Sequence, residues 1–285
     1  MNYRKVFTLL LLVGFTFQLH AQRPSRYNLR VGDQFKVTAS VEQDITQTMF
    51  GQKVETEQNI TTIDLYEVIS VSDEGYLMKT TGLSRNLKMS SAQGEVSIDS
   101  DLGGDEHLAF RALTNKSYYV EMNWYGRFLR FQGIDEMKEE IRKELLGTLL
   151  EENTDDLMAG IEEETLSNAF NGQFYIYPEP GKSLDREATM VVNNLPVTIA
   201  YNFSWVDDGT ISATGDMSLS GDFEVMGQQM TAAMEGIQTS LFKIDAETGL
   251  AMTIETEQDL DGSLEFQDIS IPMTIKTMVE VTVSK

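Results

Sequence analysis

Alternation with a period of two dominates this chain. Phe35, Val37, Ala39 and Val41 fall on one phase, with Lys36, Thr38, Ser40 and Glu42 on the other. The pattern returns at Ile199, Tyr201, Phe203 and Trp205, interleaved with Ala200, Asn202 and Ser204. It closes the chain at Met273, Ile275, Thr277, Val279, Val281 and Val283. Successive side chains of a strand point to opposite faces, so these runs predict antiparallel strands with one face buried and one in water. Acidic-plus-glycine clusters punctuate them: Asp73-Glu74-Gly75, Asp207-Asp208-Gly209 and Glu247-Thr248-Gly249, with Tyr125-Gly126 as a fourth break. Glycine supplies the positive φ that tight turns need, so each cluster predicts a hairpin.

One segment departs from this rhythm. Residues 135–170 contain no proline and are rich in Glu, Lys, Leu and Met. Met137, Ile141, Leu145 and Leu149 recur every fourth residue, which is one face of a helix. Asn153 to Asp156 reads as a new N-cap with acidic residues in the first turn. Leu157, Ile161, Leu166 and Phe170 would carry the second helix.

A repeat frames the helical pair. "MFGQ" at Met49–Gln52 is echoed by "VMGQ" at Val225–Gln228. Flanking glycines keep nearly equal spacing, Gly32 and Gly75 around Gly51, and Gly209 and Gly249 around Gly227. Fixed-period self-similarity predicts a duplicated meander. The expected fold is mainly antiparallel β: one large curved sheet or two joined half-barrels, with a two-helix insertion at about 135–170. The organisation expected is a leader over 1–21, a first β lobe over 22–134, the helical pair over 135–170 and a second β lobe over 171–285, forming one compact unit.

The order of several motifs resembles the exported bacterial proteins grouped as domain of unknown function 6263. The stretches are "YNLRVGDQFKV", "MFGQKVE", "VISVSDEGYLMK", "IDSD", "LTNKSYYVEMNWYGRFLRFQG" and "LFKIDAETGLAMTIETEQ". The resemblance implies an exported, β-rich protein of Gram-negative bacteria. It implies no activity and no functional residue.

The first residues agree with export. Arg4 and Lys5 precede an apolar run from Val6 to Phe17, and Leu19-His20-Ala21 offers a small residue for cleavage, the pattern of a secretory leader. The run is too short to span a bilayer, and no later segment is long and apolar enough, so a soluble mature chain in the periplasm or cell exterior is expected. There is no cysteine, which excludes disulfides and the lipid anchor that bacterial lipoproteins carry on cysteine. The formal net charge is −23, and loss of Arg4 and Lys5 makes it more negative. Such a chain repels nucleic acid and anionic membrane surfaces.

Motifs for chemistry are absent. The mature chain holds one histidine, His107, and "GGDEHLAF" contains no nucleophile elbow. One histidine without cysteine is a poor zinc set. Asp99, Asp101 and Asp105 alternate around two glycines, but the ligand pattern of a calcium loop is incomplete, and a solvated turn accounts for them. No phosphate loop is present. Carboxylate pairs for glycoside hydrolysis cannot be singled out among 45 acidic residues. The expectation is a protein that is not an enzyme and needs no cofactor.

Binding remains. Methionine suits irregular apolar surfaces, and Met217, Met226, Met230, Met234, Met252, Met273 and Met278 crowd the last third. A sheet with an apolar face under a helical cover could hold an apolar small molecule or lipid, by analogy with exported lipid carriers. The lining expected is Ile199, Tyr201, Phe203 and Trp205 on the sheet with Met137, Ile141 and Leu145 on the helix. The alternatives are a surface recognition module for protein or glycan, using Tyr118, Tyr119, Trp124 and Tyr125 on one hairpin, and a purely structural envelope protein.

Overall fold

The computed structural model describes residues 24–49, 51–151, 154–192, 195–225, 228–266 and 269–285. The leader expected over 1–21 and the second glycine of the echo, Gly227, lie outside the described residues. The described chain forms one antiparallel sheet of twelve strands. In chain order these are β1 (Gln34–Met49), β2 (Gln52–Val71), β3 (Gly75–Ser91), β4 (Gly94–Asp99), β5 (Ser117–Asn123), β6 (Phe128–Gln132), β7 (Arg186–Val192), β8 (Leu195–Trp205), β9 (Thr210–Val225), β10 (Gln228–Ile244), β11 (Ala251–Phe266) and β12 (Ile269–Ser284). The spatial order is β6-β5-β3-β2-β1-β12-β11-β10-β9-β8-β7, with β4 pairing β3 off that path.

The sheet is a single curved layer, and β1 and β12 join its two halves, with Val37 opposite Val283 and Ile45 opposite Ile275. The meanders β1-β2-β3 and β9-β10-β11 run the same way across the sheet, with β12 between β1 and β11. Their hairpins fall at the sequence clusters: 72–74 between β2 and β3, 206–209 between β8 and β9, and 245–250 between β10 and β11.

Curvature has different causes in the two halves. In the first, the β2–β3 ladder shifts register twice, with Leu83 of β3 extra opposite Ile63/Asp64 and Ile69 of β2 extra between Val68 and Ser70, and bulges bend and twist a strand. In the second, three glycines lie on a diagonal. Gly215 stands opposite Gln238, Gly236 opposite Leu260, and Gly262 opposite Met234. A Cβ on Gly236 would fall on the Asp259 carbonyl, and one on Gly262 on the Ala233 carbonyl. A Cβ on Gly215 would come within 2.7 Å of Ile199 Cγ2. The bend exists because these positions carry no side chain.

The helices are α1 (Leu108–Ala112), preceded by a 3-10 turn, then α2 (Ile134–Leu145), α3 (Thr154–Ala159) and α4 (Glu163–Phe174). The expected pair is therefore split differently. Leu146 turns extended, Gly147 follows at φ 75, and Leu149, expected on the helix face, is 85% exposed. The second helix begins at Thr154, inside the stretch expected as its N-cap, of which Asn153 lies outside the described residues, and it is interrupted between Ala159 and Glu163.

Candidate functional site

One end of the concave face is filled. Phe35 stacks on Tyr66 at 5.3 Å, and Phe174 at the end of α4 meets Phe35, Tyr66 and Phe170. The segment before β1 plugs this end. Its Tyr27 donates its hydroxyl to the Phe174 carbonyl at 2.7 Å, and Tyr177 donates to the Gly249 carbonyl at 2.6 Å. Burial pushes the Tyr27 and Tyr66 hydroxyls well above the ordinary phenol range, so both stay protonated.

Helix α4 also spans the sheet's open edge. The Phe128 N–H on β6 donates to Asn171 Oδ1 at 2.9 Å. From the opposite edge strand, β7, Arg186 donates to the Asn171 and Tyr175 carbonyls at 3.1 and 2.6 Å. These carbonyls end α4, where a cation is favoured. The guanidinium lies between the rings of Tyr175, Phe203 and Tyr201. Burial lowers its pKa, and the neighbouring tyrosines partly offset that.

Midway along the strands the concave face turns polar. Gln238, Gln258, Thr277, Gln43 and Gln58 stand in register on β10, β11, β12, β1 and β2. Gln258 Nε2 donates to Gln238 Oε1 at 2.8 Å, and Gln43 Nε2 donates to Thr277 Oγ1 at 3.1 Å. Gln238 Nε2 donates to the Tyr201 hydroxyl and to Ser240, each at 3.2 Å. Gln238 and Thr277 are buried, whereas Gln43, Gln58 and Gln258 are half-exposed. The belt is therefore open at Gln258 on β11 and again across β1 and β2.

Around the open part of this belt the same face is apolar but uncovered. Val41, Ile60, Leu87 and Ile98 form one cross-strand row, and Met89 faces Val96 in the next. All are on the inward phase, and all lie outside the three buried clusters. They are half-buried, and Val96 is 45% exposed. The opposite phase of the same strands carries Glu42, Asp44, Glu57, Lys88 and Glu95. Below the belt on β8–β11, by contrast, Ile199, Met217, Met234 and Leu260 are buried together. A depression of about 330 Å³ adjoins Leu219 and Met234. A second, of about 320 Å³, lies at the filled end between Asn28, Asp33, Glu247 and Lys285.

The sheet and helix parts of the expected lining are not brought together. Ile199 belongs to the buried group on β8–β11, Tyr201 packs on both that group and the filled end, and Phe203 and Trp205 lean on the filled end. Met137, Ile141 and Leu145 form a separate cluster with Leu108, Ala112, Tyr118 and Phe131, so α2 covers the β5–β6 side and does not face β8. The recognition hairpin is docked. Trp124 meets Tyr76 edge-on at 4.8 Å, its Nε1 donates to the Asp73 carbonyl, and its own carbonyl accepts from Tyr27 N. At its tip Gly126, φ 88, presses on the Phe174 carbonyl where no Cβ would fit. Tyr125 packs against the core, Tyr118 packs on Phe131, and Tyr119 is 37% exposed.

Asp99 is held inside its turn, its Oδ1 accepting from Asp101 N and its Oδ2 from Asn86 Nδ2. Among the described residues no group of three His, Asp or Glu is placed to hold a metal ion. The glutamine belt escaped the sequence reading. Its signal is a glutamine recurring on the apolar phase, as Gln43 does after Phe35, Val37, Ala39 and Val41.

A family model described as "Family of unknown function (DUF6263)" matches residues 73–251. The chain belongs to this family. No curated protein matches the DUF6263 chain. Among solved structures it is similar to lipovitellin, reported for its lipid–protein interactions, with a TM-score of 0.52 at 6% identity over 90% of this chain. The chain spans about a quarter (26%) of that protein's length. An outer membrane channel from Pseudomonas putida F1 matches with a TM-score of 0.38 at 12% identity, over 91% of this chain and 98% of the channel. These likenesses concern fold alone. Among the described residues no helix is long and apolar enough to cross a membrane.

Proposed function

We propose that this protein is a binding protein of the bacterial cell envelope, not a catalyst, and that it holds a lipid-like apolar ligand on the uncovered part of its concave face, beside the glutamine belt. The observation that carries this reading is the uncovered apolar row Val41, Ile60, Leu87 and Ile98. A row on the core phase with no core above it is a surface kept apolar for an occupant. The leader-like first residues and the fold likeness to lipovitellin support the same reading.

Magnitudes set the size of the ligand. Apolar burial gains about 25 cal/mol per Å², and association costs about 4–15 kcal/mol in lost freedom. Roughly 300 Å² of covered surface yields about 7.5 kcal/mol, which only offsets the lower part of that range. A long acyl chain meets the requirement; a small fragment does not.

The test is native mass spectrometry with lipid extraction on the mature chain purified from a bacterial periplasm. A stoichiometric adduct is expected, lost in the pair Ile60→Asp and Leu87→Asp while the circular dichroism of the sheet is kept. A clean unliganded mass after incubation with lipid vesicles contradicts the proposal.

A further inference from the structure

The glutamine belt adds a constraint on ligand chemistry. It adjoins the apolar rows, since Gln58 is level with Gln43 on one side and Met89 on the other. It is neutral throughout. Each amide offers donors and acceptors together; Gln43 and Gln258 give one N–H each, to Thr277 and Gln238 respectively, and with Gln58 they are half-exposed on the inward phase of their strands.

The cations of this face are engaged elsewhere. Among the described residues, the inward phase of the strands carries two basic side chains, Arg85 and Arg186. Arg85 pairs with Asp64 and donates to the Ile63 and Ser84 carbonyls, four residues along β3 from Met89. Burial raises the Asp64 carboxyl even against that arginine. Arg186 is held by the carbonyls that end α4, beyond Tyr201. An anionic head at the belt would lose hydration and gain no counter-charge. The protein's net charge of −23 repels it further.

Resting on the proposed binding of a lipid-like ligand, we infer that the ligand's polar group is uncharged, a hydroxyl, ester or amide that exchanges hydrogen bonds with Gln43, Gln58 and Gln258 while its chain covers the apolar rows. A neutral head fits because it accepts from the amide N–H groups and donates to the amide oxygens, as the glutamines do for one another.

The experiment compares four probes sharing one oleyl or oleoyl chain, each below its micelle concentration, on the delipidated mature protein. The probes are monooleoylglycerol, oleyl alcohol, oleate and oleoyl-lysophosphatidylglycerol. The first two are expected to bind at least about tenfold more tightly than the two anions. Gln58→Lys is expected to close that gap by strengthening oleate binding. Gln43→Leu with Gln58→Leu is expected to weaken monooleoylglycerol binding about tenfold, and these half-exposed positions leave the fold intact by circular dichroism. Equal affinity for all four probes, or a preference for oleate, overturns the inference and leaves the binding reading standing. Binding by none of the four overturns both.

Discussion

Two stretches of the concave face use the same alternation and reach opposite results. At the filled end, Phe35, Tyr66, Val68 and Met78 are buried beneath Tyr27, Phe174 and Tyr177. Further along the same strands, between that end and the glutamine belt, Val41, Ile60 and Leu87 occupy the same face and remain half-exposed. The strand pattern decides which way a side chain points. What lies over it depends on segments far away in sequence: residues 24–30 before β1 and 163–177 after the helices. The same sheet face is covered at one end and uncovered further along, where the ligand is proposed to lie.

The comparison breaks most visibly at the filled end. Phe174 meets Tyr27, Phe35, Tyr66 and Phe170 and is 3% exposed. Phe174→Ala is expected to lose about 3–5 kcal/mol in urea unfolding, since both transfer energy and a cavity are involved. A smaller effect sharpens the contrast with one residue type. Val68→Ala is expected to cost about 2 kcal/mol, and Val41→Ala less than about 1 kcal/mol. Equal losses at the two valines contradict the difference in cover.

The smallest effect is electrostatic and confined to the filled end. Partial burial raises the Asp245 carboxyl. The Lys285 ammonium at 2.7 Å and the N–H groups of Glu247 and Thr248 outweigh that and hold its pKa below the ordinary value. A depressed folded pKa gives stability that is present above the unfolded pKa and lost as pH falls through the folded one. Asp245→Asn is expected to reduce the fall in Tm between neutral pH and the acid range below the ordinary aspartate pKa, and to leave Val41 and Leu87 unaffected.

The sheet was largely legible. Phe35 to Val41, Ile199 to Trp205 and Met273 to Val283 all place their apolar phase inward, and the acidic-glycine clusters all fall between strands. The helical stretch was legible as a stretch. Its breaks were not, because Gly147 ends α2 before Leu149 can extend the row. α1 is too short, at five residues, for a period to show. The candidate lining failed for a definite reason: a helix's apolar stripe says that it packs but not on what, and α2 packs on Leu108 and Phe131. The belt failed for another. Gln43, Gln58, Gln238 and Gln258 become one feature only through pairings that join residues more than 200 positions apart, and a single strand shows each merely as an interruption of its pattern.

The absence of cysteine makes the decisive measurement clean, because a single introduced thiol is the only one present. Ile60→Cys, Leu87→Cys and Val68→Cys would each be exposed to a maleimide under native conditions, with and without monooleoylglycerol. The account predicts ready labelling of I60C and L87C, slowed by the lipid, and labelling of V68C only on unfolding. Inert I60C and L87C, or labelling rates that the lipid does not change, would contradict the claim that this face is open beside the belt for a ligand.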